Sequence, residues 1–581
     1  MGKLVKFAIV VLLLALPLYA GVASMQVPAV FTTHGGELVT LEVEIRAGTG
    51  EVYVATRPLV GIQTQDSART AFTVARSVEG VGDTYDALIR MRDQTGSASV
   101  DGPSAGAAMT LLMLSIFENK SVRDDLTMTG TIESGGTVGA VGSVGEKTRA
   151  AVDEGMKVIL IPTDSDVFDK MILSVLSKRW NISIIEVSNI SDAEGRAFSL
   201  KNVTLQSNIM EVKQRSPVNV TATGINCTNC HIDEFKALAS NIIEENRALL
   251  DEVSSQNRSE FSSFIKMIEV DIEDSENAES WNYPYTGANS AFLTAINLNF
   301  LKDSNITYDM FMSRMLDVGK CINSTNRPQM TADNFEWIAG GDERLAWSRK
   351  RLNEISSQNY SSGDDETILL QYKQLLTAES WCRVSQDMYS FADMIGGVPV
   401  NESNLRAFAA GKIAEADSKV KTFGGADFGD AAWRFEAAKD EFNKTLFVAA
   451  VFDSEYLIGT IQSVNSTTNI ASFLSTEFGS AKSWHGMWAA LYDNHARYVH
   501  LAAPGAATTS IILENYANLL DNDTVKMKEL LETPAVVPTG NVTGTVVQTA
   551  VNYDNDLALL LIFCVIIAIF LNLVQLFKSP E

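Results

Sequence analysis

The sequence predicts an α+β domain, then an all-α domain, then a single C-terminal transmembrane helix, and three observations predict it. Residues 29–200 mix short alternating and short apolar segments punctuated by glycine. Residues 231–533 repeat apolar residues at helical spacing, with few strand signals. Residues 557–577 form an apolar run of 21, broken only by Asn572 and Gln575, long enough to cross a hydrocarbon core of about 30 Å. At 581 residues and 46% apolar content, the chain has room for more than one packed core. Its formal charge of −25 argues against a nucleic-acid partner, because phosphate binding needs clustered Lys and Arg.

Taken in order, residues 1–24 carry Lys3 and Lys6, an apolar run over 7–20, and Gly21 and Ala23, small residues that offer a signal peptidase a site after Ala23, with retention as an uncleaved anchor left open. This reads as a signal peptide or signal anchor. Residues 37–45 and 51–55 alternate apolar with polar and are bounded by glycines, which predicts two strands paired with each other. A helix is expected over 64–78, a strand over 87–91, and an apolar helix over 105–117 whose small first turn permits close packing. Strands follow over 127–132 and 157–161, the second preceded by a helix from Glu146 to Gly155.

Residues 201–230 lose periodicity and gain Asn, Thr and Ser, which marks a linker. Helices are expected beyond it over 235–253, 259–270, 342–355, 367–395, 404–420, 431–453, 483–501 and 508–520. Residues 534–555, rich in Pro, Gly, Thr and Val, read as a stalk. Lys578 follows the apolar run while Asp554 and Asp556 precede it, which places the C-terminus in the cytoplasm. The expected protein is single-pass, with an extracytoplasmic ectodomain. Fifteen Asn-x-Ser/Thr triplets, from Asn119 to Asn541, all lie between the two apolar ends and fit the exported ectodomain of a membrane glycoprotein.

Of the cysteines, Cys564 lies within the membrane run; the other four are an even number in a compartment that permits disulfides, which allows a Cys321–Cys382 bridge and leaves the connectivity open. Cys227-Thr228-Asn229-Cys230-His231 matches a haem-attachment spacing, but in an Asn/Thr-rich linker a local disulfide is the expected use. His485, His495 and His500 are ten and five residues apart, so they do not share a helix face as metal ligands would; no metal or cofactor is expected. Trp484, Trp488 and Tyr492 at i, i+4, i+8 read as a core stripe.

The chemistry concentrates in Asp101-Gly102-Pro103-Ser104-Ala105-Gly106, with Lys147 forty-three residues after the serine. A serine and a lysine at two predicted helix starts fit a nucleophile with an amine base and no histidine. Asp101 is a helix-capping type, Pro103 suits a first turn, and the positive end of the helix dipole would stabilise an oxyanion at Ser104. Gly102 leaves room for a substrate backbone. Lys147 acts as a base only when neutral; its place in a first turn, behind Val138, Val141 and Val144, favours that form. Thr129, at a strand end, is placed to hydrogen-bond the amine.

These motifs, with Val122-Arg123-Asp124-Asp125-Leu126-Thr127-Met128-Thr129-Gly130, Gly142-Ser143-Val144-Gly145-Glu146-Lys147 and Gly155-Met156-Lys157-Val158-Ile159-Leu160-Ile161-Pro162, resemble the proteolytic domain of Lon proteases. The resemblance runs from Asp101 to Pro162, and more loosely over 36–76 and 163–198. It implies a serine endopeptidase with Ser104 as nucleophile, Lys147 as base, and Asp101, Thr129 and Gly102 in support. It also implies protein or peptide substrates and a homo-oligomeric ring. The chain departs from the family at Ala140-Val141-Gly142-Ser143-Val144-Gly145-Glu146-Lys147, where Lon usually has P-I-G-G-L-K-E-K. No G-x-x-x-x-G-K-[ST] occurs; in the register of Lys147 its glycine positions hold Val141 and Glu146, so ATP-independent cleavage is expected. The competing expectation is a catalytically silent surface scaffold that retains the fold as a binding protein.

Overall fold

The computed structural model describes residues 21–533 except 32–34, 56–58, 61, 93–98, 101, 201–202, 210–219, 221–223, 229, 257, 259–260, 304, 423–427, 467–469, 480–481 and 503–506. Asp101, residues 1–20, the stalk and residues 557–577 therefore lie outside the described residues. No described helix is long and apolar enough to cross a membrane.

β1 (Gly21–Phe31) pairs antiparallel with β2 (Gly35–Ala47) along its whole length, from Gly21 opposite Ile45 to Phe31 opposite Gly35. The domain thus starts before residue 29, and cleavage after Ala23 would remove the first three residues of a paired strand. The alternation of buried Met25 and Val27 with exposed Val22 and Val30 is the strand signal, and the strand begins inside the stretch that reads as the tail of an export signal. Pro28 is tolerated because β1 is an edge strand.

β3 (Val52–Val54) does not pair with β2. β5 (Tyr85–Arg92) lies between them, antiparallel to β2 and parallel to β3, giving the order β1-β2-β5-β3. The reason is a distant carboxylate: the backbone N–H groups of Thr49, Gly50 and Glu51 donate to Asp86 Oδ1 at 2.7, 3.2 and 3.0 Å, drawing the connection around the start of β5. β4 (Leu59–Val60) and β6 (Ser99–Val100) form a short parallel pair that brings the approach to α1 (Ile62–Glu79) beside the approach to Ser104.

α2 (Gly106–Phe117) is buried at every position but Ile116, as suits a central helix apolar all round. The expected strand 127–132 is two strands in different sheets. β7 (Leu126–Met128) joins the parallel sheet β11-β10-β7, while β8 (Thr131–Ile132) pairs with β9 (Val138–Gly139); the chain turns at Thr129-Gly130. β10 (Val158–Pro162) is buried throughout, between helices α3 (Val144–Asp153) and α4 (Val167–Trp180) and the remaining strand β11 (Ser183–Val187), which leads to α5 (Ile190–Ala197).

Beyond residue 231 the described structure is helical: α6 (Ile232–Ser255), α7 (Ser262–Ser280), α8 (Pro284–Lys302), α9 (Tyr308–Ser324), α10 (Phe335–Ser356), α11 (Asp365–Ile395), α12 (Arg406–Thr422), α13 (Asp430–Asn443), α14 (Phe447–Ser466), α15 (Ile470–Phe478), α16 (Met487–Ala502) and α17 (Ala507–Glu532). The expected helix 431–453 is broken, with Thr445 at φ 64° between α13 and α14. Trp484, Trp488 and Tyr492 are buried core residues. Two disulfides are present, the expected local one, Cys227–Cys230, and Cys321–Cys382, which joins α9 to α11. His495 is buried against Thr286 Oγ1 at 2.9 Å and His485 Nδ1 lies 2.9 Å from Asp521.

Candidate active site

Ser104 lies in a 3₁₀ turn, Pro103–Ala105, that runs directly into α2. Three successive carbonyls fix this turn. Gly102 O accepts from Thr64 Oγ1 at 2.9 Å, Pro103 O from Ser67 Oγ at 3.1 Å, and Ser104 O from the Gly130 N–H at 2.9 Å. Thr129 Oγ1 also donates to Ser104 O, at 3.4 Å. Gly102 sits at φ 114°, a conformation that favours glycine. Among the described residues no side-chain cap holds the turn; Asp101 lies outside them. Gly106 is required by close approach, since a Cβ there would come within 2.3 Å of Ser67 Oγ and 2.9 Å of Ile132 Cγ2.

Thr129 is fully buried where β7 ends, its N–H donating to Leu160 O of β10 at 3.0 Å. β10 is shared: Leu160 packs in the core around α2, while Ile159 and Ile161 pack with Val144 and Ala151 of α3. Lys147 is the fourth residue of α3 and is buried. Burial pushes its ammonium down to about 8, against Glu146 and Asp169, which favour the charged form. Val138 and Val144 are buried as expected, with Val141 packed against the core under α3. The structure thus ties Thr129 to Ser104 rather than to the amine, and among the described residues no hydrogen bond joins Ser104 to Lys147.

Residues 22–197 match the family model of the Lon protease (S16) C-terminal proteolytic domain. This part of the chain is a Lon-type proteolytic domain. It is 31% identical over 168 residues to a Lon protease of Phenylobacterium zucineum, covering 28% of this chain and 21% of that protein. A Lon protease of Lawsonia intracellularis is 33% identical over 174 residues, 29% of this chain and 20% of its own length. The chain spans about a fifth of the length of these curated relatives. The Lon domain begins with β1 and ends with α5, so the helical region lies outside the match.

Several residues that shape the site were not anticipated. Thr64 and Ser67 of α1 hold the Ser104 turn, and Asp169 of α4 accepts the backbone N–H of Val144 at the start of α3. Local periodicity carries no trace of these, because each partner lies more than twenty residues away. Elsewhere in the Lon domain, carboxylate oxygens of Glu79, Glu118 and Glu194 lie within 4.8 Å of one another. Burial and then Glu118 raise Glu194, so a shared proton and Lys120 beside Glu118 account for this cluster.

Proposed function

We propose that the chain is an ATP-independent serine endopeptidase, anchored by residues 557–577 with its body outside the cytoplasm, that cleaves unfolded or flexible protein segments. The observation that carries this reading is a buried lysine with a weakened hold on its proton, in the Lon-type domain that also presents Ser104 at the start of a central helix. Neutral Lys147 takes the proton of Ser104 as Oγ attacks the scissile carbonyl carbon, and the resulting ammonium returns it to the leaving amine. Water then hydrolyses the acyl-enzyme with the same amine as base. The oxyanion forms at the start of α2, where the helix dipole favours negative charge. The two groups close to hydrogen-bonding distance with substrate bound, as catalytic contacts commonly do.

The test is degradation of an unfolded casein-like protein by the purified full chain and by Ser104→Ala and Lys147→Ala. Each variant should lose about a thousandfold or more. Below pH 8 the amine is mostly protonated, so the parent's kcat/KM should rise about tenfold per pH unit and level off above about pH 8. Equal activity in all three proteins, or none in the parent, leaves the silent scaffold standing.

A further inference from the structure

The helix that carries Lys147 is gripped from outside its own domain. α11 presents Glu366, Leu370 and Lys373, four and three residues apart and so on one face, across α3 and α4. Glu366 Oε2 accepts from Arg149 Nη1 of α3 at 3.0 Å and from Trp180 Nε1 of α4 at 2.7 Å. Leu370 lies over Gly145, where a Cβ would come within 2.8 Å of Leu370 Cδ2, so α11 touches α3 two residues before Lys147. Lys373 Nζ donates to Asp166 Oδ1 at 2.8 Å, lies 3.8 Å from Asp169 Oδ1, and sits 5.3 Å from the centroid of the Phe168 ring.

α3 does not begin with a side-chain cap of its own: Ser143 is left-handed at φ 56° and makes no capping bond. Asp169 supplies the acceptor instead, to the Val144 N–H. We propose that this face of α11 is a positioning device for the general base, so that proteolysis requires the helical domain to be docked on the Lon domain. The inference rests on the roles proposed for Ser104 and Lys147. Lys373 reaches the amine through Asp169, which reaches the first turn of α3, while Leu370 and Glu366 set how that helix lies. Burial raises the Asp169 carboxyl to about 6, with Lys373 foremost among the groups opposing it, so Asp169 is ionised where the amine titrates. Burial opposes the Lys373 charge, yet Asp169 and Asp166 outweigh it and raise its pKa.

Among the described residues, the charged groups that act on the amine directly are Glu146, on its own helix, and Asp169, from α4. Next to these lie Arg149 of α3, paired with Glu366 of α11, and Asp166 of α4, paired like Asp169 with Lys373 of α11. Of the strands packed on α3, β1 and β10 carry no charged residue, and β2 carries Glu37, Glu42, Glu44 and Arg46, with Glu42 and Glu44 paired to Arg90.

The experiment compares the full chain with Lys373→Met, Lys373→Arg and Asp169→Asn. It records kcat and KM against pH and, separately, the pH midpoint at which Lys147 becomes acylated by acetic anhydride, read by peptide mass spectrometry. Lys373→Met should lower kcat about tenfold at neutral pH with KM unchanged. It should also move the labelling midpoint up by about half a pH unit, because the carboxylates lose their counter-charge and hold the proton on the amine. Lys373→Arg should restore both. Asp169→Asn should move the midpoint down, since the pull on the ammonium is gone while the amide oxygen still accepts from Val144. Parental kcat and midpoint in Lys373→Met, with or without a lower melting temperature, would reduce α11 to interdomain glue and overturn the proposal. If Ser104→Ala is as active as the parent, the peptidase reading fails, and the labelling midpoint still reports whether α11 governs the amine.

Discussion

Ser104 owes its place to side chains that do no chemistry. Thr64 and Ser67 hold the two carbonyls before it, and Gly130 with Thr129 holds its own, so the turn is tied at three consecutive peptide units before α2 begins. This tolerates no extra atom at Gly106. Gly106→Ala puts a methyl group into Ser67 Oγ and Ile132, and overpacking of this kind costs about 1–3 kcal/mol. A lower denaturant midpoint at unchanged slope is expected. The double variant with Ser67→Ala should lose less than the sum of the two single changes, because the nearer of the two collisions is removed while Ile132 Cγ2 stays. Full stability in Gly106→Ala would show that the turn yields easily. Ser104, Lys147 and Thr129 were visible as residue types at helix starts and a strand end. Ser67 and Asp169 were not, since a hydroxyl or carboxylate that ties distant backbone leaves no local pattern.

At the scale of elements, legibility followed periodicity. α1, α2, β5 and β10 appear within a few residues of where alternation or helical spacing put them, because their inward faces are regular. α8 was missed for the opposite reason: apolar and polar residues are buried all round it, so it has no apolar stripe to read. The β2–β3 pairing failed because Asp86, dozens of residues on, decides where the loop goes. The Cys321–Cys382 bridge is one of the pairings that an even number of exported cysteines allows, and the structure supplies the connectivity. It closes 61 residues and ties α9 to α11, the helix that also leans on α3. Loop closure of that length is worth about 4 kcal/mol, so Cys321→Ser/Cys382→Ser should shift chemical unfolding by up to that amount. If α11 positions the base, kcat should fall before the Lon domain itself melts, which activity and near-UV circular dichroism measured on one sample would separate.

Across the whole molecule, stability and activity are set to pull apart with pH. The helical domain buries carboxyl groups in unusual number. Burial pushes Glu336 up to about 7, and burial again is the first cause raising Glu343, Glu441, Glu455 and Glu514. Both carboxyl oxygens of Glu441 are without a hydrogen-bond partner among the described residues, which suits a neutral acid. Each such group binds its proton more tightly folded than unfolded, so its contribution is present at low pH and is lost as pH rises through the folded value. Glu336 alone accounts for about 3 kcal/mol between its ordinary value of 4.5 and 7. His495, lowered by burial to about 4, runs the other way, but its effect is complete by pH 6.5. Lys147 also runs the other way, though only above about 8, where the folded chain releases a proton that the unfolded chain keeps until 10.5. Between pH 6.5 and 8 the carboxyl groups therefore act almost unopposed. The urea midpoint should fall across that window while kcat/KM climbs toward its plateau. Glu336→Gln should flatten the fall, since the amide has no proton to lose, at the cost of one hydrogen bond: the Met487 and Trp488 N–H groups donate to different oxygens of Glu336, and the amide has a single acceptor oxygen. A midpoint that stays level from pH 6.5 to 8 would mean that these carboxyl groups are already ionised in the folded protein and that water or unrecognised partners solvate them.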